Sequence, residues 1–234
     1  NVSEELETLG YSKECDIMLL APKDKARAHY GRPLKLAPHT AIRHGMRVMS
    51  LSILDVGRAT PFATYGEVNA YDVAVDDQKW LPRLVVSSPY LLHGFSGGPL
   101  VSVDTGEMVG VNGRTRYDDA VQIPFALPSE AIRALLPRLV NPGRVHHGSI
   151  GAKLEDGPDA TTLAINGVVA KGPADGKLKN GDLITMIDAT PVQSLFHAEL
   201  RILASVPGAT MRFTGTRDGK PFEVELTLAS LDNE

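Results

Sequence analysis

The chain has 234 residues, 43% of them hydrophobic and 22% charged, with 24 Lys and Arg against 28 Asp and Glu. That is an ordinary globular composition with room for one large domain or two small ones, and its mild acidity and scattered basic residues exclude an electrostatic footprint for nucleic acid. No apolar run reaches the roughly 18 residues of a membrane-spanning helix; the acidic start NVSEELETLG is unlike a signal peptide; and the single cysteine, Cys15, excludes an internal disulfide or a cysteine-based metal cluster.

Most of the first 128 residues read as short strands punctuated by Gly, Pro and Asp, at 15–22, 47–54, 63–75, 82–88, 98–103, 106–113 and 120–128. Strands at this spacing indicate a β-barrel or sandwich. Cys15, beside Ile17, Met18, Leu19 and Leu20, reads as a buried structural thiol. A helix follows, with Ser129 as N-cap and Ile132, Leu135, Leu136, Leu139 and Val140 as one apolar stripe. Pro137 should kink or shorten it. NPGRVHHG, residues 141–148, reads as a linker and divides the chain into units 1–143 and 144–234. The second unit is α+β, with strands at 150–155, 163–170 and 183–188 and a helix over 195–206. Two more strands within 210–229 are joined at Asp218-Gly219, a dipeptide suited to the positive φ of a tight hairpin.

The stretch HGFSGGPL, residues 93–100, sets Ser96 among three glycines. GFSGG also fits the nucleophile elbow of α/β-hydrolases, but an elbow needs a helix after the serine. Here PLVSV, DTG and EMVGV follow as strand, turn and strand. The remaining readings are a serine on a tight loop whose backbone N–H groups converge as an oxyanion hole, at Gly94 and Ser96, or a glycine-rich turn with a solvated serine.

GFSGGPLVSVDTGEMVGVNG resembles the nucleophile loop of trypsin-like serine proteases of the HtrA/Deg (Do-like) family, with Phe95 where that family has Asn. ECDIMLL resembles the family's segment bearing the triad aspartate, and AVQIPFALPSEAIRALLPRLV resembles its last strand and helix, so the resemblance runs from about residue 10 to 140. KLKNGDLITMIDATPVQS and VPGATMRFTGTRDGKPFEVELTL resemble the PDZ module that follows the protease in that family. The resemblance implies a mainly β fold, the C-terminal barrel of a chymotrypsin-like two-barrel protease followed by an α+β PDZ domain. It implies Ser96 as nucleophile, Asp16 as orienting acid, and substrate pairing along Asn112, Gly113 and Arg114. GSIGA at 148–152 falls where a PDZ module has its carboxylate-binding loop, which makes Ile150 and Gly151 the expected peptide-binding residues. Ser149 departs from the bulky residue usual there.

The proton acceptor is not evident. A chymotrypsin-type chain runs His, Asp, Ser, yet His29, His39, His44, His93, His146, His147 and His197 all follow Asp16. His29, His39 and His44 read as solvated, His93 as a pocket-lining residue, His146 and His147 as linker, and His197 as a neighbour of the peptide groove. Only the adjacent His146-His147 hints at metal-ligand spacing; no metal or cofactor is expected. The resemblance implies a first, histidine-bearing barrel ahead of residue 1, so the chain reads as a cleavage product with a bound N-terminal partner fragment, a partial sequence, or a protease relic. The expected function is an endopeptidase for unfolded or damaged proteins, acting through an acyl-Ser96 intermediate. Leu91, Leu92 and the QIPFAL strand suggest small or medium aliphatic side chains at the cleavage site. The alternative is a catalytically silent, chaperone-like peptide-binding scaffold. Family resemblance further implies trimer-based assembly and a periplasmic or other extracytoplasmic compartment.

Overall fold

The computed structural model describes residues 5–24, 31–55, 59–73, 84–87, 91, 93–118 and 121–231, in two compact units, 1–145 and 146–234. The first opens with a hairpin of β1 (Leu6–Ser12) and β2 (Ile17–Pro22). β1 has no clear alternation, and the sequence reading has no strand there; pairing on both sides makes it one. Its partners are β2 and, in parallel, β9 (Gly143–Arg144).

Between them, β3 (Arg47–Asp55), β4 (Ala59–Val73), β5 (Leu84–Ser87), β6 (Pro99–Ser102), β7 (Met108–Asp118) and β8 (Val121–Pro128) close an antiparallel barrel in the order β3-β4-β5-β8-β7-β6. Closure leaves no unpaired edge along the ring. Val48, Val68, Leu100 and Val109 fill the interior and are fully buried.

Helix α1 (Ser129–Leu139) buries Ile132, Leu135 and Leu139 of the expected stripe together with Ala131, while Leu136 and Val140 of that stripe are exposed, and it ends two residues after Pro137. Its cap differs from expectation. Pro128 occupies the N-cap position, while Ser129 is the first helical residue and donates its buried hydroxyl to the Met108 carbonyl of β7. Only glycine fits at Gly10, where a Cβ would lie 2.5 Å from the Leu139 carbonyl oxygen. The expected linker is ordered: Gly143 and Arg144 extend the β1 sheet, Arg144 ion-pairs with Glu14, and His147 is buried with Nδ1 2.7 Å from the Leu203 carbonyl. His39 is not solvated either, since its Nε2 lies 3.1 Å from an Asp72 carboxylate oxygen. His29 lies outside the described residues.

The second unit contains β10 (Gly148–Ser149), β11 (Ala152–Asp156), β12 (Leu163–Val168), β13 (Leu183–Ile187), β14 (Thr190–Pro191), α2 (Leu195–Ala204), β15 (Thr210–Arg217), β16 (Lys220–Thr227) and β17 (Ala229–Ser230). The main sheet runs β11-β12-β13-β15-β16, β14 pairs with β13, and β10 pairs with β17. Leu195, Ala198 and Ile202 of α2 close its core over Ile150, Leu163, Ile184 and Phe213. The Asp218-Gly219 turn forms as expected, with φ of 51° and 74°.

Asp182, at 1% exposure, is the charged anchor of this unit. It accepts two 2.6 Å bonds from Arg217 and one of 2.8 Å from the Lys179 N–H. Burial works to raise its pKa, but these bonds outweigh it and hold the carboxyl below the ordinary aspartate value. A depressed folded pKa contributes stability above the unfolded value of about 3.9, lost as pH falls through the folded value. Arg217→Met therefore strands a buried carboxylate and is expected to lower stability, read as a lower urea midpoint at pH 7.

Candidate active site and peptide-binding loop

The Gly94–Gly98 loop joins the barrel wall through specific backbone bonds. Gly94 and Gly97 take φ of 95° and 82°, which side chains disfavour. Gly98 has no room for a side chain, since a Cβ would lie 2.1 Å from the Leu51 carbonyl oxygen. The Gly97 N–H donates to the Asn112 carbonyl at 2.7 Å, the Asn112 N–H returns a 2.9 Å bond to the Gly98 carbonyl, and the Gly98 N–H closes on the Phe95 carbonyl at 3.0 Å. The Ser52 hydroxyl holds the Gly94 carbonyl. Phe95 is fully buried, so the departure from Asn puts an apolar anchor beneath the loop.

Ser96 is exposed at the apex and donates its hydroxyl to the Gly113 carbonyl at 3.3 Å. The backbone N–H groups of Gly94 and Ser96 donate to none of the described residues.

Asn112 is 1% exposed, and its side chain faces inward: Oδ1 accepts from the Ser50 hydroxyl at 3.2 Å and Nδ2 lies 3.5 Å from the Pro99 carbonyl. With its backbone also committed to Gly97 and Gly98, it is a clamp for the loop, a role with no signature in the sequence. Beyond it the β7–β8 register slips by one residue between Asn112 and Thr115. This bulge at Gly113-Arg114 turns the strand where the loop meets it.

Asp16 stands apart from these residues in the chain, exposed in the β1–β2 turn with φ 51° and its N–H bonded to the Lys13 carbonyl. No described histidine hydrogen-bonds to Ser96 or Asp16. His93 is exposed, and Leu92 lies outside the described residues, while Leu91 is buried with its carbonyl held by Gln122. Cys15 is buried and burial pushes its thiol up to about 12, so it is no nucleophile. Among the described residues no group of three or more His, Cys, Asp or Glu is placed to hold a metal ion, and no helix is long and apolar enough to cross a membrane.

In the second unit Ile150 points into the core at 2% exposure and Gly151 turns the chain at φ 64°. The Gly151 carbonyl accepts from the Val169 N–H, and its own N–H donates to the Ser149 hydroxyl at 3.0 Å. Among the described residues β11 pairs only with β12 and so lies at the edge of the sheet.

A family model for the trypsin-like peptidase domain matches residues 2–111, and one for the PDZ domain matches residues 148–228. The periplasmic pH-dependent serine endoprotease DegQ of Escherichia coli (strain K12) is 30% identical over 179 residues, 71% of this chain and 39% of that protein. The chain combines a trypsin-like peptidase domain with a PDZ domain and is similar to serine proteases of the HtrA/Deg family. A probable periplasmic serine endoprotease, DegP-like, from Rhizobium meliloti (strain 1021) is 26% identical over 97% of this chain and 46% of its own length. The chain thus spans less than half the length of these two relatives. The HtrA-type protease AlgW solved with a tripeptide shares the fold, with a TM-score of 0.69 at 20% identity over 96% of this chain and 77% of that one. So does a serine endoprotease from Yersinia pestis, with a TM-score of 0.59 at 22% identity over 98% and 76%. The architecture is a chymotrypsin-like barrel followed by a PDZ domain.

The contact at Gly98 yields a direct test. Gly98→Ala should force the nucleophile loop off the β3 backbone and cost at least about 2 kcal/mol, measured by urea denaturation of the whole chain.

Proposed function

We propose that this chain is the nucleophile-bearing and peptide-binding part of an HtrA/Deg-type serine endopeptidase. The observation that carries the reading is an exposed Ser96 on a glycine loop clamped to the barrel, beside two backbone N–H donors with no partner among the described residues. In the reaction an imidazole base takes the Ser96 hydroxyl proton as Oγ adds to the scissile carbonyl carbon, and Asp16 orients the imidazolium. The N–H groups of Gly94 and Ser96 hold the resulting oxyanion, each such donor being typically worth about 3 kcal/mol. Collapse expels the amine with the proton from the imidazole, and water then releases the acyl group from Ser96. The imidazole comes from outside the described residues, on an N-terminal segment or partner fragment.

The Gly113 carbonyl, now held by Ser96, and the Arg114 backbone form the strand on which the substrate backbone pairs; Asn112 keeps that strand in place. Small or medium aliphatic side chains suit the cleavage pocket beside Leu91. Unfolded or damaged polypeptides are the substrate class, and the PDZ domain takes extended segments onto the edge strand β11 beside Ile150 and Gly151. The names of both relatives support an extracytoplasmic, periplasmic location, and the family resemblance supports trimer-based assembly. The Ser96–Gly113 bond and the absence of a described histidine at Ser96 favour, as a second reading, a silent peptide-binding scaffold.

In the intact protein, a fluorophosphonate probe should label Ser96 and leave Ser96→Ala unlabelled by mass spectrometry. Asp16→Asn should lower kcat on casein by about 10³ to 10⁴-fold with little change in KM. A protein that binds peptides but neither labels nor cleaves is the scaffold.

A further inference from the structure

The loop at 148–152 holds a contact that changes what the PDZ domain selects. β10 ends at Ser149, β11 begins at Ala152, and the reversal is made at Gly151, where the positive φ and a Cβ position 2.9 Å from Pro173 Cδ exclude other residues. Ser149 is 1% exposed, and its hydroxyl oxygen accepts the Gly151 N–H at 3.0 Å. This is a local serine-to-backbone turn in which the side chain satisfies a donor two residues on. The neighbouring groups are also committed, with the Gly148 N–H on the Ser205 carbonyl and the Gly151 carbonyl on the Val169 N–H.

A terminal carboxylate entering this loop needs backbone N–H donors. Here the Gly151 donor already has an oxygen, supplied by a buried side chain of the same chain. To bind, a carboxylate has to displace that hydroxyl and leave it buried without its partner, which offsets much of the gain from a charge-assisted bond. Strand addition along β11 carries no such cost, because β11 is an edge strand of the described sheet and begins at Ala152, beyond the Gly151 N–H.

We infer that Ser149 is a specificity-determining residue that caps the loop from within, so that this domain selects internal, extended polypeptide segments over free C-termini. The inference rests on the proposed role of Ile150 and Gly151 in peptide capture.

The test is fluorescence anisotropy on the full chain with a fluorescein-labelled hexapeptide ending in Leu-Ala-Val, as the free acid and as its C-terminal amide. Wild type should bind the two within about three-fold of each other, and Ser149→Ala should tighten the free acid about ten-fold while leaving the amide unchanged. Wild-type preference for the free acid by ten-fold or more, or an equal effect of Ser149→Ala on both peptides, overturns the inference and leaves peptide capture standing. If neither peptide binds wild type or variant, the peptide-capture reading fails and takes the inference with it. Amide hydrogen exchange without peptide gives an independent reading: Gly151 should be protected in wild type and exchange faster in Ser149→Ala, and an unprotected Gly151 in wild type contradicts the cap.

Discussion

Asn112 is the point on which the first unit's site depends. Its N–H and carbonyl bind Gly98 and Gly97, while its side chain is tied to Ser50 of β3 and set against Pro99 of β6. One buried residue thus connects the nucleophile loop to three strands of a closed barrel. Each such bond contributes only about 1 kcal/mol net, but a buried partner left unsatisfied costs about 1–3 kcal/mol. The loop is therefore held less by the strength of any one bond than by the penalty for breaking the set. Phe95 adds an apolar anchor beneath it, and Gly98 lacks the Cβ that would collide with the Leu51 carbonyl.

The PDZ domain uses the same device with a charge. Asp182, the residue before β13, secures the turn at Lys179 and reaches β15 through Arg217. Within each unit a buried polar side chain, fully engaged, fixes a loop that a purely apolar core would leave free to settle in several ways. Ser149 is a smaller version of this, and there the satisfied donor is one that a ligand would otherwise use.

Features set by neighbours in the chain were readable from sequence. The alternating strands, the stripe of α1, the Asp218-Gly219 hairpin and the glycine loop around Ser96 all follow from local periodicity or backbone demands. Features set by distant partners were not. β1 is a strand because β2 and β9 flank it, and the 141–148 stretch is ordered because β1 and β17 receive it. Ser129 looks like a cap in sequence, yet a carbonyl on β7 draws its hydroxyl inward. Asn112 could be placed near the site by its motif, but its inward-facing role required the barrel.

The central claim is that the Gly94–Gly98 loop is built to receive an oxyanion above Ser96. The most direct measurement is a crystal structure of the intact protein after reaction with a peptidyl phosphonate. The account predicts a covalent bond to Ser96 Oγ, with a phosphonyl oxygen about 2.7–3.1 Å from the backbone nitrogens of both Gly94 and Ser96. An adduct whose oxygen points to solvent, or one formed on another residue, would contradict it.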